Sequence, residues 1–203
     1  MTPVDLRYPF SGPWLVQNSP ANRVPSHGTA AFASSYSIDF VPVDHRGRTA
    51  PIRFATWVRP EPPTRFPGFG RDVLAPADGV VVALDDHQVD HDAHRGLPSV
   101  AYVLSQGRRA AAGWSALAGN HVLIRTDAGP YVALCHLRQG SLAVAMGSRV
   151  KAGDRVGACG NSGNSTEPHL HLQAMDHRDP TTANAVPITF DGHLPRNAVL
   201  TSP

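Results

Sequence analysis

Pro168-His169-Leu170-His171-Leu172 follows a turn-rich run from Gly160 to Glu167 and sets two imidazoles two residues apart. In an extended segment side chains alternate, so His169, His171 and Gln173 share one face while Leu170 and Leu172 point into a core. Two residues of strand span roughly 6.6 Å. One imidazole can therefore hold a metal ion while the other addresses a water or a substrate beside it. The plainer alternative is a pair of surface histidines on an edge strand. Val132-Ala133-Leu134-Cys135-His136-Leu137 supplies a third histidine. Regular alternation puts His136 on the face of Val132 and Leu134 and turns Cys135 away from it. A buried imidazole there needs a hydrogen-bond partner, because leaving it unpaired costs about 1–3 kcal/mol. Tyr36-Ser37-Ile38-Asp39-Phe40 repeats the pattern with a carboxylate. Tyr36, Ile38 and Phe40 form one apolar face, and Asp39 on the other requires a cation, a metal or several donors.

These groups need strands to carry them, and the chain is written for strands. Short apolar runs broken by Gly, Pro and Asn predict extended segments at residues 35–41, 73–84, 120–126, 130–137, 155–159 and 169–174. Asp127-Ala128-Gly129 reads as a hairpin turn. The fold expected is mostly β with little helix, as one domain over residues 1–203 with a core at about 20–190. Two stretches interrupt it. Residues 44–70 are proline-rich, and residues 85–119 are polar at first and alanine-rich later; both read as insertions, the second with a short helix around 108–117.

Composition narrows the function classes. With 41% hydrophobic residues the chain can bury a core. A net charge of +2 without a basic stripe leaves no nucleic-acid footprint. No apolar run approaches the roughly 20 residues of a membrane span, and none has the length of a secretory signal's apolar segment. The expectation is a soluble, monomeric protein without nucleic-acid or membrane partners. On the sequence as given it is cytoplasmic; it is secreted or in the cell envelope if the natural chain begins earlier. Two cysteines, Cys135 and Cys159, exclude a disulfide framework and read as buried free thiols. Eleven histidines stand beside only Glu61 and Glu167. His-Glu-x-x-His is therefore impossible, since Pro60 and Thr166 precede the glutamates. Ser148-Arg149-Val150-Lys151 lacks the companion motifs of penicillin-recognising enzymes, and there is no Gly-x-Ser-x-Gly elbow. The Asp/His-rich run at 85–94 reads as a solvated loop rather than a second metal site.

Several of these segments, taken in order, resemble the lysostaphin-type zinc endopeptidases that cut peptidoglycan peptides. The resemblance covers about residues 20–190. It runs through Tyr36-Ser37-Ile38-Asp39-Phe40, Leu74-Ala75-Pro76-Ala77-Asp78-Gly79-Val80-Val81 and Gly119-Asn120-His121-Val122-Leu123-Ile124. It continues in Leu134-Cys135-His136-Leu137, Val150-Lys151-Ala152-Gly153-Asp154, Gly160-Asn161-Ser162-Gly163 and Pro168-His169-Leu170-His171. What it implies is antiparallel sheets forming an open groove, and one Zn2+ held by a histidine, an aspartate and the second His of His-x-His. Onto this chain that carries Asp39 and His171 as ligands, with His136 and His169 as the two catalytic histidines, either of which can be the base. The position four residues before the aspartate, where the family has its first ligand, is Ser35. The first ligand then falls to His27 in a longer version of the same loop, with His45 the alternative. Glu167 stands where the family has Gly and reads as a solvated loop carboxylate. The implied substrate is a peptide or peptidoglycan with Gly or D-Ala at the cut. Two other readings stand beside it: an intracellular relative acting on a small peptide or biosynthetic intermediate, and a non-catalytic binding module.

Overall fold

The computed structural model describes residues 2–51, 54–104 and 106–202. Residues 52 and 53 of the first insertion lie outside them. Twelve strands are described: β1 Val4–Leu6, β2 Gly12–Gln17, β3 Ile38–Pro42, β4 Asp72–Leu74, β5 Gly79–Asp85, β6 Asn120–Thr126, β7 Tyr131–Leu137, β8 Arg149–Val150, β9 Arg155–Ala158, β10 Leu170–Met175, β11 Ile188–Phe190 and β12 Val199–Ser202. Eight of them form one antiparallel sheet in the order β12-β2-β3-β10-β7-β6-β5-β8. Two small sheets, the parallel pair β1-β11 and the antiparallel pair β4-β9, supply Val4, Leu6, Val73, Val156, Ile188 and Phe190 to the core. Against these pack Ile38, Phe40, Leu134, Leu170 and Leu172 from one face of the large sheet. The opposite face carries a smaller cluster with Leu123, Ala133, Cys135 and Met175, and on that face the cleft opens. Alternation on β3 and β10 thus sorts apolar residues to the core and polar ones to the cleft.

The structure departs from the sequence expectations at four places. The 73–84 segment is two strands in different sheets, because Pro76 has no amide to continue a ladder. The 35–41 segment becomes extended only at Ile38: a turn closed by Ser37 N–H on Ser34 O, at 3.2 Å, holds residues 34–37, and Tyr36 stays half-buried outside the core. The core also starts well before residue 20, since Phe10, Trp14 and Val16 are among its buried members and β2 pairs with β3. Prolines at 3, 9 and 13 break that stretch in sequence and hide its strands. Finally, three short helices, α1 Leu97–Leu104, α2 Gln106–Ala111 and α3 Trp114–Ala118, replace the single one expected. Gly113, at φ +96°, breaks the run between the last two.

The 85–94 run is not a solvated loop. The Asp90 carboxylate accepts from the amides of Asn161 (2.6 Å) and Gln139 (3.0 Å). His91 O accepts from Asn161 Nδ2 at 2.8 Å, and His94 N–H donates to Thr166 O at 2.7 Å. This strap also pairs Ala93 with Glu61 in both directions, and Arg95 reaches the buried Glu61 carboxylate at 2.7 Å. The two insertions are stapled to each other and to the loop that leads into β10. Among the described residues no helix is long and apolar enough to cross a membrane.

Candidate metal centre and catalytic cleft

β3 and β10 are hydrogen-bonded neighbours with Asp39 directly opposite His171, and β7 continues the row with Cys135 opposite His171. Asp39 is buried at 6% exposure, so its charge must be met inside the protein. Oδ2 accepts from Asn18 Nδ2 at 2.8 Å and faces His27 Nε2 at 2.9 Å; Oδ1 faces His171 Nδ1 at 3.0 Å. Burial works against the Asp39 carboxylate, but the surrounding His27, His169 and His171 hold it well below the usual carboxylate range. Burial likewise works against the His27 cation, and the Asp39 charge reverses that and raises it; burial lowers His171 despite the same carboxylate.

His27 reaches the site from the loop between β2 and β3. Ser26 N–H donates to Ser35 O at 3.0 Å and closes that loop, while Ser26 Oγ contacts His27 Nδ1 at 2.9 Å and turns Nε2 toward Asp39. One donor atom each from His27, Asp39 and His171 lies within 4.8 Å of the others. Four-coordinate Zn2+ with bonds of 2.0–2.1 Å spaces its ligand atoms roughly 3.3 Å apart, so the set fits with little movement. Hydrogen bonding favours a cation as well. Gln173 donates its amide to Phe32 O at 3.0 Å, which leaves Oε1 to accept from His171 Nε2–H at 3.1 Å. His171 then turns the lone pair of Nδ1 onto a carboxylate oxygen, and a metal ion between the two reconciles them. His45, the alternative first ligand, is exposed in the turn at Asp44–Arg48 and takes no part.

His136 and His169 meet beside this cluster with ring centroids 4.6 Å apart. Their routes differ. His169 immediately precedes β10, donates Nδ1–H to Glu167 O at 2.8 Å, and brings Nε2 to 3.7 Å from Asp39 Oδ1. His136 does not share a face with Val132 and Leu134, and Cys135 does not point away from it. The β6–β7 ladder steps from Asn120↔Leu137 to Val122↔Leu134, so Cys135 and His136 together oppose His121 in a bulge. His136 sits at φ +63° in the left-handed region, and the bulge turns it, with Cys135, into the cleft while Leu137 returns to the core. Its Nδ1–H donates to Ser162 O at 2.9 Å. Burial, then the neighbouring His169 and His171, hold His136 well below the usual imidazole value, so it is neutral near pH 7. Both rings thereby keep Nδ1 protonated and offer the Nε2 lone pair.

The cleft has a volume of about 450 Å3. Its second wall is the helical insertion, through Tyr102, Arg109, Trp114 and Leu117, none of which the sequence reading singled out. Alternation on β10 was the signal for Gln173; nothing short-range marks Asn18 or Arg109. Gly119 and Gly163 let the insertion and the Gly160–Glu167 loop touch, since a Cβ at Gly163 would meet Gly119 N at 2.4 Å. Glu167 is not a solvated carboxylate: its Oε2 is closed off from solvent, and among the described residues no donor reaches it, with the strap laid over this loop. Cys135 and Cys159 are free, buried thiols, both pushed up by burial.

The family model of Peptidase family M23 matches residues 87–183. Glycyl-glycine endopeptidase ALE-1 of Staphylococcus capitis is 34% identical over 89 residues, 43% of this chain and 24% of that protein. An uncharacterized metalloprotease of Buchnera aphidicola subsp. Baizongia pistaciae is 36% identical over 65 residues, 32% of this chain and 17% of that protein. The matched segments therefore span at most about a quarter of these relatives. Among solved structures, the catalytic domain of lysostaphin from Staphylococcus simulans aligns over 75% of this chain and 77% of its own, at 19% identity and TM-score 0.42. The M23 metalloprotease pseudoalterin aligns over 92% and 75%, at 14% identity and TM-score 0.46. Structural likenesses of that score carry no weight of their own. With the family's model matched from the strap into the segment after β10, and relatives of the same kind beside it, the chain belongs to the lysostaphin-type peptidases of family M23.

Proposed function

We propose that the protein is a zinc-dependent endopeptidase acting on peptidoglycan cross-bridge or stem peptides, with Gly or D-Ala at the bond cut. The observation that carries this reading is the His27–Asp39–His171 donor set with two further imidazoles, neither of them a ligand, directly beside it. Zn2+ bound by three protein ligands keeps a position for water, lowers the pKa of that water toward ~7 and polarises a carbonyl. The rest falls to the chain. Asp39 supplies the charge that offsets the cation, and Asn18 and the two ligand histidines fix its oxygens. Gln173 and Ser26 hold the tautomers of His171 and His27. His136 and His169 present Nε2 lone pairs; one accepts the proton of the attacking water and passes it to the departing amine. The other, once protonated, donates to the oxygen of the scissile carbonyl as charge develops there. The name of the Staphylococcus capitis relative, a glycyl-glycine endopeptidase, supports a small residue at the cut.

The test is zinc analysis together with cleavage of oligoglycine, D-Ala-containing stem peptides and intact sacculi. One equivalent of zinc and chelator-sensitive cleavage of at least one substrate are expected. Less than about half an equivalent after zinc is supplied, with activity indifferent to chelator, refutes the reading.

A further inference from the structure

We infer that Arg109 makes this cleft a carboxylate-reading site, so that its substrates are peptides carrying a free carboxylate close to the bond that is cut. The inference rests on the peptidase reading above and adds the substrate class. Among the described residues lining the cleft, Asp39 and Arg109 are the only two from the Asp, Glu, Lys and Arg set. Asp39 faces the metal donors, so Arg109 sets the sign of charge that the rest of the cleft favours. It does so from the insertion, whose neighbouring surface is small and apolar: Ala110, Trp114 and Leu117.

The guanidinium is held in a fixed pose. Its carbon lies 3.8 Å from the centroid of the Tyr102 ring, Nε–H donates to Asn164 Oδ1 at 2.8 Å, and Nη2–H donates to Tyr102 O at 2.8 Å. Asn164 is itself anchored, its N–H donating to Leu117 O at 2.8 Å. Tyr102 Oη in turn donates to Gly163 O at 2.9 Å. Stacking and two side-on hydrogen bonds on a half-buried arginine remove rotamer entropy that a free surface arginine loses on binding. A planar, pre-set guanidinium matches the geometry of a carboxylate, and the partial exclusion of water strengthens that contact. A zwitterionic or cationic group in the same position meets like charge.

Calorimetric titration of the zinc-loaded His169→Ala protein with acetyl-D-alanyl-D-alanine and with its C-terminal amide tests this without turnover. The acid is expected to bind at least ~10-fold tighter than the amide, the scale of one charge-assisted pair. Arg109→Gln in the same background is expected to abolish the difference, and Arg109→Lys, which keeps the charge and loses the fork, to leave a smaller one. Equal binding of acid and amide, or no binding of either, overturns the inference. So does a preference that survives intact in Arg109→Gln, because the carboxylate then sits on the metal. If Arg109→Gln does not fold, the first titration and Arg109→Lys decide, and an undiminished preference in Arg109→Lys overturns it. Cleavage of the peptide panel is a separate arm. Peptides cut without any acid preference refute the inference and leave the peptidase reading standing. An Arg109-dependent acid preference with no peptide cut refutes the peptidase reading and leaves the carboxylate site.

Discussion

Replacing His136 separates what the bulge does for the fold from what the imidazole does for the reaction. His136→Ala removes the Nε2 lone pair beside His169, and a positioned acid–base group is worth about 100- to 10,000-fold in kcat. Zinc binding should match the wild type, because the three donors come from β3, β10 and the loop at residue 27. The fold also suffers: the buried Ser162 carbonyl loses the donor it meets at 2.9 Å, at about 1–3 kcal/mol. His136→Gly loses the same imidazole, but at φ +63° glycine avoids the Cβ penalty of the left-handed region. In an ordinary strand position glycine is less stable than alanine by about 0.5–1 kcal/mol. Here the order should invert, with Gly more stable than Ala by about 1 kcal/mol, or about 2–4 °C in Tm. Urea and thermal unfolding, zinc content and peptide turnover of the two variants give the answer. A glycine variant that is no more stable than the alanine one refutes the left-handed bulge. A folded, zinc-loaded, fully active His136→Ala protein removes His136 from the chemistry.

Three further outcomes follow from the same geometry. His171→Ala should lose the metal, whereas His169→Ala should keep it and lose turnover by ~100-fold or more; metal analysis showing the reverse means the two roles are exchanged. His27→Ala should strip zinc while His45→Ala leaves it bound, and a His45-dependent metal content would contradict the placement of the loop. Gln173→Leu removes the acceptor that orients His171 and should weaken zinc about 10- to 100-fold in chelator competition; unchanged affinity means that the Nε2 hydrogen bond does not tune the ligand.

Asp39, His171 and Gln173 could be located from sequence because β3 and β10 keep an unbroken two-residue period between apolar neighbours that must be buried. His136 defeats the same rule. One extra residue in β7 against β6 shifts the alternation, and no local composition marks where that occurs. The strap was misread for a different reason: Asp and His in such density suit water. Yet Asp90 is satisfied by amides of Gln139 and Asn161, far away in sequence, and only the folded chain brings those donors near. Arg109 and Trp114 belong to an alanine-rich stretch whose helices are too short to show a clear apolar face. Their place in the cleft comes from the close approach of Gly119 and Gly163, a long-range event.

Asp85 and His121 are paired residues of adjacent antiparallel strands, so everything from residue 86 to 119 is, topologically, the connection of a β-hairpin. The cleft wall that carries Arg109 can be lengthened, shortened or traded for another sequence while the register of the sheet is unchanged. Loop-closure entropy scarcely opposes such exchange, since each doubling of a flexible connection costs about 0.6 kcal/mol. The metal donors sit on other connections and strands and do not move with it. Recombination at the two ends of this hairpin would therefore swap the preference for one substrate terminus against another and inherit the hydrolytic machinery whole.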